Sequence, residues 1–363
     1  MSELVAESVP TTTLWDVLRY VVVAVVAGVL IWYYGFYTPP IYVQRETTGE
    51  TMGTNYIVKV AQFPENADWQ KMEAAILNRL DALNAMMSTY RQDSEVCRFN
   101  AFTSTEEWFS VSPEIARVVE TSLEVSRLTG GALDITVLPL VHHWGFGAGG
   151  SQRLGKSYEE LWSASLLLKE HIGYEKLTVR LDPPALKKSI PELAIDLSAV
   201  GKGFAVDCIA ELLDEQKISD YLIEVGGEVR GKGKKSKDKN WIVGIEKPTV
   251  EFTGTQQALE LKNQSLATSG SYRQLYQISG QRVSHFIDPR SSLPVEIKEG
   301  INELISTAVI APNCTEADAW ATAMFVLGEQ QGWELANQRG IAVLFLLRTG
   351  NEIREISTKS WLK

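Results

Sequence analysis

The sequence predicts an α+β domain with substantial antiparallel sheet, preceded by one N-terminal transmembrane helix. Three observations carry this. Short strand-like runs alternate with amphipathic helical runs from residue 41 onward. An uncharged apolar stretch of 18 residues stands near the N-terminus. No Gly/Ser-rich or Pro-rich linker divides residues 45–363, which read as one domain behind an anchor of residues 1–44.

The apolar stretch, residues 20–37, reads YVVVAVVAGVLIWYYGFY and is flanked by Trp15 and Arg19 before and by Pro39 and Pro40 after. It is near the minimum length for a spanning helix, and its aromatic-rich ends suit the two membrane interfaces. A soluble core helix and a cleaved signal peptide are the alternatives. Valine on every face argues against the first, and the lack of a small-x-small site against the second. Arg19 and Arg45 flank it on opposite sides, so basic residues do not orient it.

Residues 54–60 alternate like a half-buried strand, and residues 68–88 repeat apolar side chains at helical spacing behind a capping Asp68. Residues 112–131 form a helix with Ser112 as cap, Pro113 in first position and Gly130 or Gly131 at the stop. Helix is expected over 157–172 and strand over 176–182. A helix follows from about Gly203 to Glu215, then strands over 221–225, 241–246, 257–262, 265–270, 284–288 and 305–311. Residues 315–329 return to helical period, and another helix precedes a strand over 340–347.

Composition excludes several classes. Of 363 residues 45% are apolar and 22% charged, which disfavours disorder. The net charge of -10 argues against a nucleic-acid partner. The one dense basic run, residues 230–239, reads as a solvated hairpin tip. The three cysteines, Cys97, Cys208 and Cys314, are too scattered for a zinc site or a disulfide framework.

Residues 194–207, AIDLSAVGKGFAVD, set an apolar run of buried-strand character before Gly-Lys-Gly and a helix. The residue after Lys202 is Gly203, so the segment is no Walker loop. It is either a plain turn or a place where backbone, a lysine and a helix N-terminus meet an anion. Residues 141–150, VHHWGFGAGG, are a tight loop or a ligand wall. Adjacent His142 and His143 would point to opposite sides of a strand and chelate one ion poorly. His285 is a hydrogen-bonded structural histidine or a general base. Asp318 and Thr322, four apart on a helix, share a face and offer hard oxygen ligands of the kind magnesium accepts, or Asp318 is a capping or surface aspartate.

Taken together and in order, these segments resemble the ApbE family, flavin transferases that use FAD to attach FMN to a protein threonine. The resemblance covers nearly all of 45–363 and includes MGTNY (52–56), MSTYRQDSEVCRFN (87–100), TGGALDITVLPLVHHWGFG (129–147) and AIDLSAVGKGFAVD. It continues through YLIEVGGEVRGKG (221–233), LATSGSYRQ, SHFIDPRSSLPV and STAVIAPNCTEADAWATAMFVLG (306–328).

The resemblance implies an α+β fold with intertwined repeats. By motif, Tyr90 would stack on the isoalloxazine ring, and Met52, Asp134 and Thr136 would line the flavin pocket. Lys202 would lie near the diphosphate or adenosine part. Ser269, Gly270 and the Gly226-Gly227-Glu228 turn would complete the site. Mg²⁺ would be held by Asp318, Thr322 and the carbonyl of Ala199, with His285 beside the FAD as base. The implied acceptors are threonine-bearing subunits of Na⁺-translocating NADH:quinone reductase or Rnf-type complexes, with the enzyme on the periplasmic side of a bacterial inner membrane. An Mg²⁺-dependent FAD pyrophosphatase and a flavin binder without turnover are the other classes these residues would serve.

The chain departs from the family pattern in three places. Its first cysteine is Cys97, so N-terminal lipid attachment is not expected and the apolar stretch stands in its place. Ile135 replaces the usual proline before Thr136, and Ser291-Ser292 replaces the usual Thr-Gly after Arg290.

Overall fold

The computed structural model describes residues 14–36, 42–147, 155–248, 254–272, 275–297, 302–350 and 352–361. The chain divides into two units, residues 1–42 with 64–66 and residues 43–63 with 67–363. In the first, α1 (Leu14–Phe36) is a helix whose described side chains, as far as Trp32, are exposed. The apolar stretch 20–37 extends beyond those side chains. Among the described residues no helix is long and apolar enough to cross a membrane.

The second unit begins within β1 (Tyr42–Thr51), which turns through Met52 (φ 49°) and Gly53 (φ 72°) into β2 (Thr54–Pro64). α2 (Trp69–Met87) starts at Asp68, whose carboxylate accepts from the Lys71 N–H at 3.0 Å. α3 (Glu95–Ala101) is capped by Ser94 and precedes β3 (Phe109–Ser110). α4 (Pro113–Leu128) has the expected Ser112 cap with Pro113 in its first turn, and α5 (Leu138–Trp144) ends on Gly145 in the left-handed conformation. α6 (Tyr158–Leu167) opens on a capping box between Ser157 and Glu160 and gives way to short 3-10 turns. β4 (Leu177–Leu181), β5 (Pro184–Lys188) and α7 (Gly201–Glu215) follow.

β6 (Tyr221–Val225), β7 (Glu228–Lys232), β8 (Trp241–Glu246), β9 (Thr255–Leu261) and β10 (Gln264–Gly270) come next. β11 (Leu275–Ile278), β12 (Gln281–Asp288) and β13 (Leu293–Glu296) form a three-stranded sheet. β14 (Glu303–Ala311) leads into α8 (Cys314–Arg339), which breaks at Gly328 (φ 77°), and the chain closes with β15 (Ala342–Thr349) and β16 (Glu352–Ser357). The break explains why the sequence suggests two helices there.

An eight-stranded sheet, in the order β1-β2-β6-β7-β10-β14-β15-β16, is the frame. α7 lies on β6 and β7, α8 lies on β10 and β14, and α2 and α4 pack on these helices. Alternation sends Ala267 of β10 into this main core and Leu266 into a second core on the other face. Val243, Ile245, Leu259 and Leu261 of the two-stranded β8–β9 sheet close that second core. A third cluster, around Leu140, Trp144, Leu161 and Ile287, joins α5 and α6 to the β11–β13 sheet.

Three local expectations are corrected. The basic run 230–239 is no hairpin tip, because it links β7 to β8 and these strands belong to different sheets. Residues 194–197 join no sheet, and 198–200 turn into α7. The side-chain amide of Asn100 takes the place of a neighbouring strand, donating to Ile195 O at 2.9 Å and accepting from Ile195 N at 2.8 Å. His142 and His143 lie on α5, not on a strand, since Pro139 in the first turn and Gly145 at the end frame a helix.

Candidate active site

A cavity of about 740 Å³ opens where the ends of β10 and β12, the loop before α7 and the first turns of α8 converge. Its wall includes Tyr90, Asp134, Ala199, Lys202, Gly227, Ser269, Gly270, His285, Asp318 and Thr322. Three residues expected at the site do not line it. Met52 packs partly buried against the main core, Thr136 is fully buried, and Glu228 lies behind Lys202 at 1% exposure.

The Gly-Lys-Gly segment takes its shape from helix packing. A Cβ on Gly203 would lie 2.3 Å from Cys314 O and 2.8 Å from the Asp318 Cβ, so only glycine lets α7 and α8 approach this closely. The Gly203 N–H donates to Asp318 Oδ2 at 3.0 Å. Thus the anion on this free N–H of the α7 N-terminus is a carboxylate of the protein itself. Gly226, at φ 59°, brings the β6–β7 turn against Thr54 and the Lys202 stem, where a Cβ would sit 2.7 Å and 3.0 Å from them.

Lys202 Nζ stands 2.6 Å from Glu228 Oε2. Burial pushes Glu228 up to about 8, with Lys202 opposing it. Burial also raises Asp318, against the attraction of Lys202 and the Gly203 N–H. Lys202 itself is raised, because the two carboxylates outweigh its own burial. One lysine therefore serves two buried carboxylates, and with both ionised the cluster carries a surplus negative charge that a further cation would neutralise.

Beyond Asp318, Thr322 Oγ1 lies 3.3 Å from Ser269 Oγ, whose backbone carbonyl accepts from Ser306 Oγ at 3.1 Å. Asp318, Thr322 and the main chain of Ala199 are oxygen donors on one cavity, a hard set that suits Mg²⁺. Among the described residues no three His, Cys, Asp or Glu side chains group as a metal cage. An ion held here would complete its shell with water or phosphate oxygens, as Mg²⁺ does. The residues present fit the ion.

His285 stands on β12 with its ring centroid 4.2 Å from that of Phe286, whose ring lies tilted against that of Phe325 of α8 at 4.4 Å. Tyr90, 67% exposed, sits at the cavity rim on a turn where its N–H donates to Ser88 Oγ. Asp134 has another task. Its carboxylate accepts from Thr136 N at 2.8 Å, Thr136 Oγ1 at 2.7 Å and Tyr174 N at 2.8 Å, while the Thr136 hydroxyl accepts from Gly173 N at 2.7 Å. Burial nevertheless raises it to about 6. This pair ties two loops together beneath the cavity.

Ile135 leaves Asp134 in place, because its carbonyl accepts from Asp196 N at 2.7 Å and locks the loop before α7. After Arg290, Ser292 takes up the left-handed conformation (φ 64°) where the family has glycine. The cavity also recruits Val137, Leu138, Val141, His142 and Phe146, so the aromatic-glycine segment is a wall. Reading 138–144 as a helix would have shown that face. Asp196, Ser198 and Tyr272, and residues 242–246 of β8, join the wall with no local sequence signal.

A mixed α+β frame with a deep polar cavity, one lysine, buried carboxylates and an oxygen donor set defines an enzyme that handles a phosphorylated ligand. The ApbE family profile matches residues 52–345. An FAD:protein FMN transferase of Vibrio cholerae is 38% identical over 318 residues, spanning 88% of this chain and 92% of that protein. The FAD:protein FMN transferase of Escherichia coli K12 is 36% identical over 316 residues, 86% of each chain. The solved structure of the flavin transferase ApbE from Vibrio cholerae superposes with a TM-score of 0.77 at 37% identity, covering 88% of this chain and 99% of that one. The chain belongs to the ApbE family.

Proposed function

We propose that the chain carries out the reaction that names its relatives: it is an FAD:protein FMN transferase, moving FMN from FAD to a threonine of a target flavoprotein with release of AMP. The observation that carries the reading is the shared wall of Lys202, Asp318, Thr322 and His285 in one cavity large enough for a dinucleotide. In the reaction the threonine oxygen bonds to the FMN-side phosphorus, the pyrophosphate P–O bond breaks, and AMP leaves with the bridging oxygen.

Lys202 supplies positive charge toward the phosphates, and its stem is fixed by Gly226 and its ammonium by Glu228. His285 takes the threonine proton, its ring packed against the Phe286–Phe325 pair. Tyr90 at the rim stacks on the isoalloxazine ring. Mg²⁺, bound by Asp318, Thr322 and Ala199 O, would neutralise charge developing on the phosphates. The enzyme works on the periplasmic side of a bacterial inner membrane, held there by residues 20–37. Its acceptors are threonine-bearing subunits of Na⁺-translocating NADH:quinone reductase or Rnf-type complexes. The support for the anchor is the uncharged run itself.

The test incubates residues 45–363 with FAD, Mg²⁺ and such a subunit and records its intact mass. A gain of one FMN phosphoester with AMP released is expected; free FMN and AMP without a gain would make the enzyme a hydrolase. His285→Ala should abolish transfer while FAD still binds. Asp318→Ala should weaken the Mg²⁺ response and transfer together, and an unchanged Mg²⁺ titration would remove Asp318 from the metal site.

A further inference from the structure

No residue of the basic run 230–239 lines the cavity. Arg230 and Lys232 are held by Asp207 at 2.6 Å and Asp214 at 2.9 Å, while Lys234, Lys235, Lys237 and Lys239 stand exposed beyond the end of β7. The tip that carries them has a fixed shape. Gly233, at φ 62°, bends the chain across the start of β6, where a Cβ would meet Asp220 Oδ1 and Ser219 O. The Gly233 N–H then donates to Asn263 Oδ1 at 2.9 Å and the Lys234 N–H to Asp220 Oδ1 at 2.7 Å. Donation from Lys235 N to Lys239 O at 2.9 Å and from Lys239 N to Ser236 O at 3.1 Å closes the turn itself. Four ammonium groups against Asp238, with Asp220 at the base, make a cationic tip on a chain whose net charge is -10.

The tip stands where the chain enters the sheet. Tyr221 pairs with Lys232, and Ala61 N donates to Asp220 O at 2.8 Å, so the start of β6 and the ends of β7 and β2 lie at one end of the sheet. β1 begins there too, for the Gln44 side-chain amide lies 3.5 Å from Lys235 O. Gln44 is seven residues past Tyr37, the last residue of the uncharged run, a reach of at most about 25 Å for extended chain. The Gly226-Gly227 turn, at the far end of β6 and β7, borders the cavity about 15 Å away along the strands. We infer that the tip of Lys234, Lys235, Lys237 and Lys239 seats on anionic phospholipid headgroups of the membrane that residues 20–37 enter. With Tyr37 held by a bilayer, the short tether keeps these four charges within reach of its surface, and clustered lysines next to an apolar segment are drawn to anionic lipid. The same surface repels the rest of an acidic domain. The seat therefore sets an orientation, in which β6 and β7 turn the lysines toward the lipid and the Gly226-Gly227 turn away from it.

This inference rests on the anchor reading of residues 20–37, and the experiment separates the two. The full chain is reconstituted in bilayer discs of phosphatidylcholine, with and without about 30% phosphatidylglycerol, and a water-soluble acylating reagent is used to follow the labelling rate of each lysine by mass spectrometry. Phosphatidylglycerol should slow Lys234, Lys235, Lys237 and Lys239 by about fivefold or more, and about 0.5 M NaCl should restore their rates. Lys169 on α6, which is also exposed, should not change. Equal rates in the two kinds of disc would overturn the lipid seat and leave the anchor standing. Slowing of Lys169 to the same degree would overturn the seat as well, because the attraction would not belong to the tip. A chain that never enters the discs would remove the anchor, and the seat with it.

Discussion

Ser292 is fully buried and sits at φ 64° in the turn that returns β12 to β13, with its carbonyl accepting from Trp144 Nε1 at 3.1 Å. A side chain in that conformation costs about 1–2 kcal/mol. Ser292→Gly should therefore stabilise the protein by about 1 kcal/mol in urea unfolding, and a loss of stability would contradict the strain argument. Asp134 gives a pH dependence. Its folded value, about 6, lies above the ordinary carboxylate value of 3.8, so the folded state binds a proton that the unfolded state does not over that window. The stability it contributes is full below the lower value and is lost as pH rises through about 6. Relative to Asp134→Asn, the wild type should gain stability between pH 7.5 and pH 4.5; a constant difference would contradict the burial argument. The roles of these two residues were not legible in sequence, because one depends on a backbone angle and the other on which N–H groups surround a carboxylate.

Among the elements, α7 and α8 decide the chemistry. Asp207 on α7 accepts from Cys314 N and Thr315 N at the start of α8 and pairs with Arg230 at 2.6 Å, so one side chain sets where α8 begins. Asp318 follows one turn later and Thr322 two. The contact is sealed by Gly203, and Gly203→Ala should force the helices apart, costing about 1–3 kcal/mol in unfolding and weakening the Mg²⁺ response of transfer. Full activity and stability would mean that the helices have slack. The expected helices and most strands match the observed elements within a few residues, since caps and alternation are local signals. β1, β3, β5, β7, β11, β13 and β16 have no counterpart in the sequence reading, for their pairing is tertiary and all but β1 are short.

For the whole molecule, the second unit holds all three apolar cores, and none of their buried residues lies in residues 1–42. Removing residues 1–42 should leave the melting temperature and FMN transfer unchanged while releasing the protein from membranes in a sedimentation assay. A truncated protein that still sediments with membranes would end the anchor proposal. The sequence by itself determined the mixed α+β class, the order of the main elements, the family and the residue types at the site, because periodicity, capping and ordered motifs are properties of neighbouring residues. Only the tertiary structure decided that Met52, Thr136 and Glu228 stand back from the cavity, that Lys202 faces two buried carboxylates, and that residues 242–246 of β8 border the site. The physical reason is that burial, charge balance and strand pairing are set by residues far apart in the chain, which only the fold brings together.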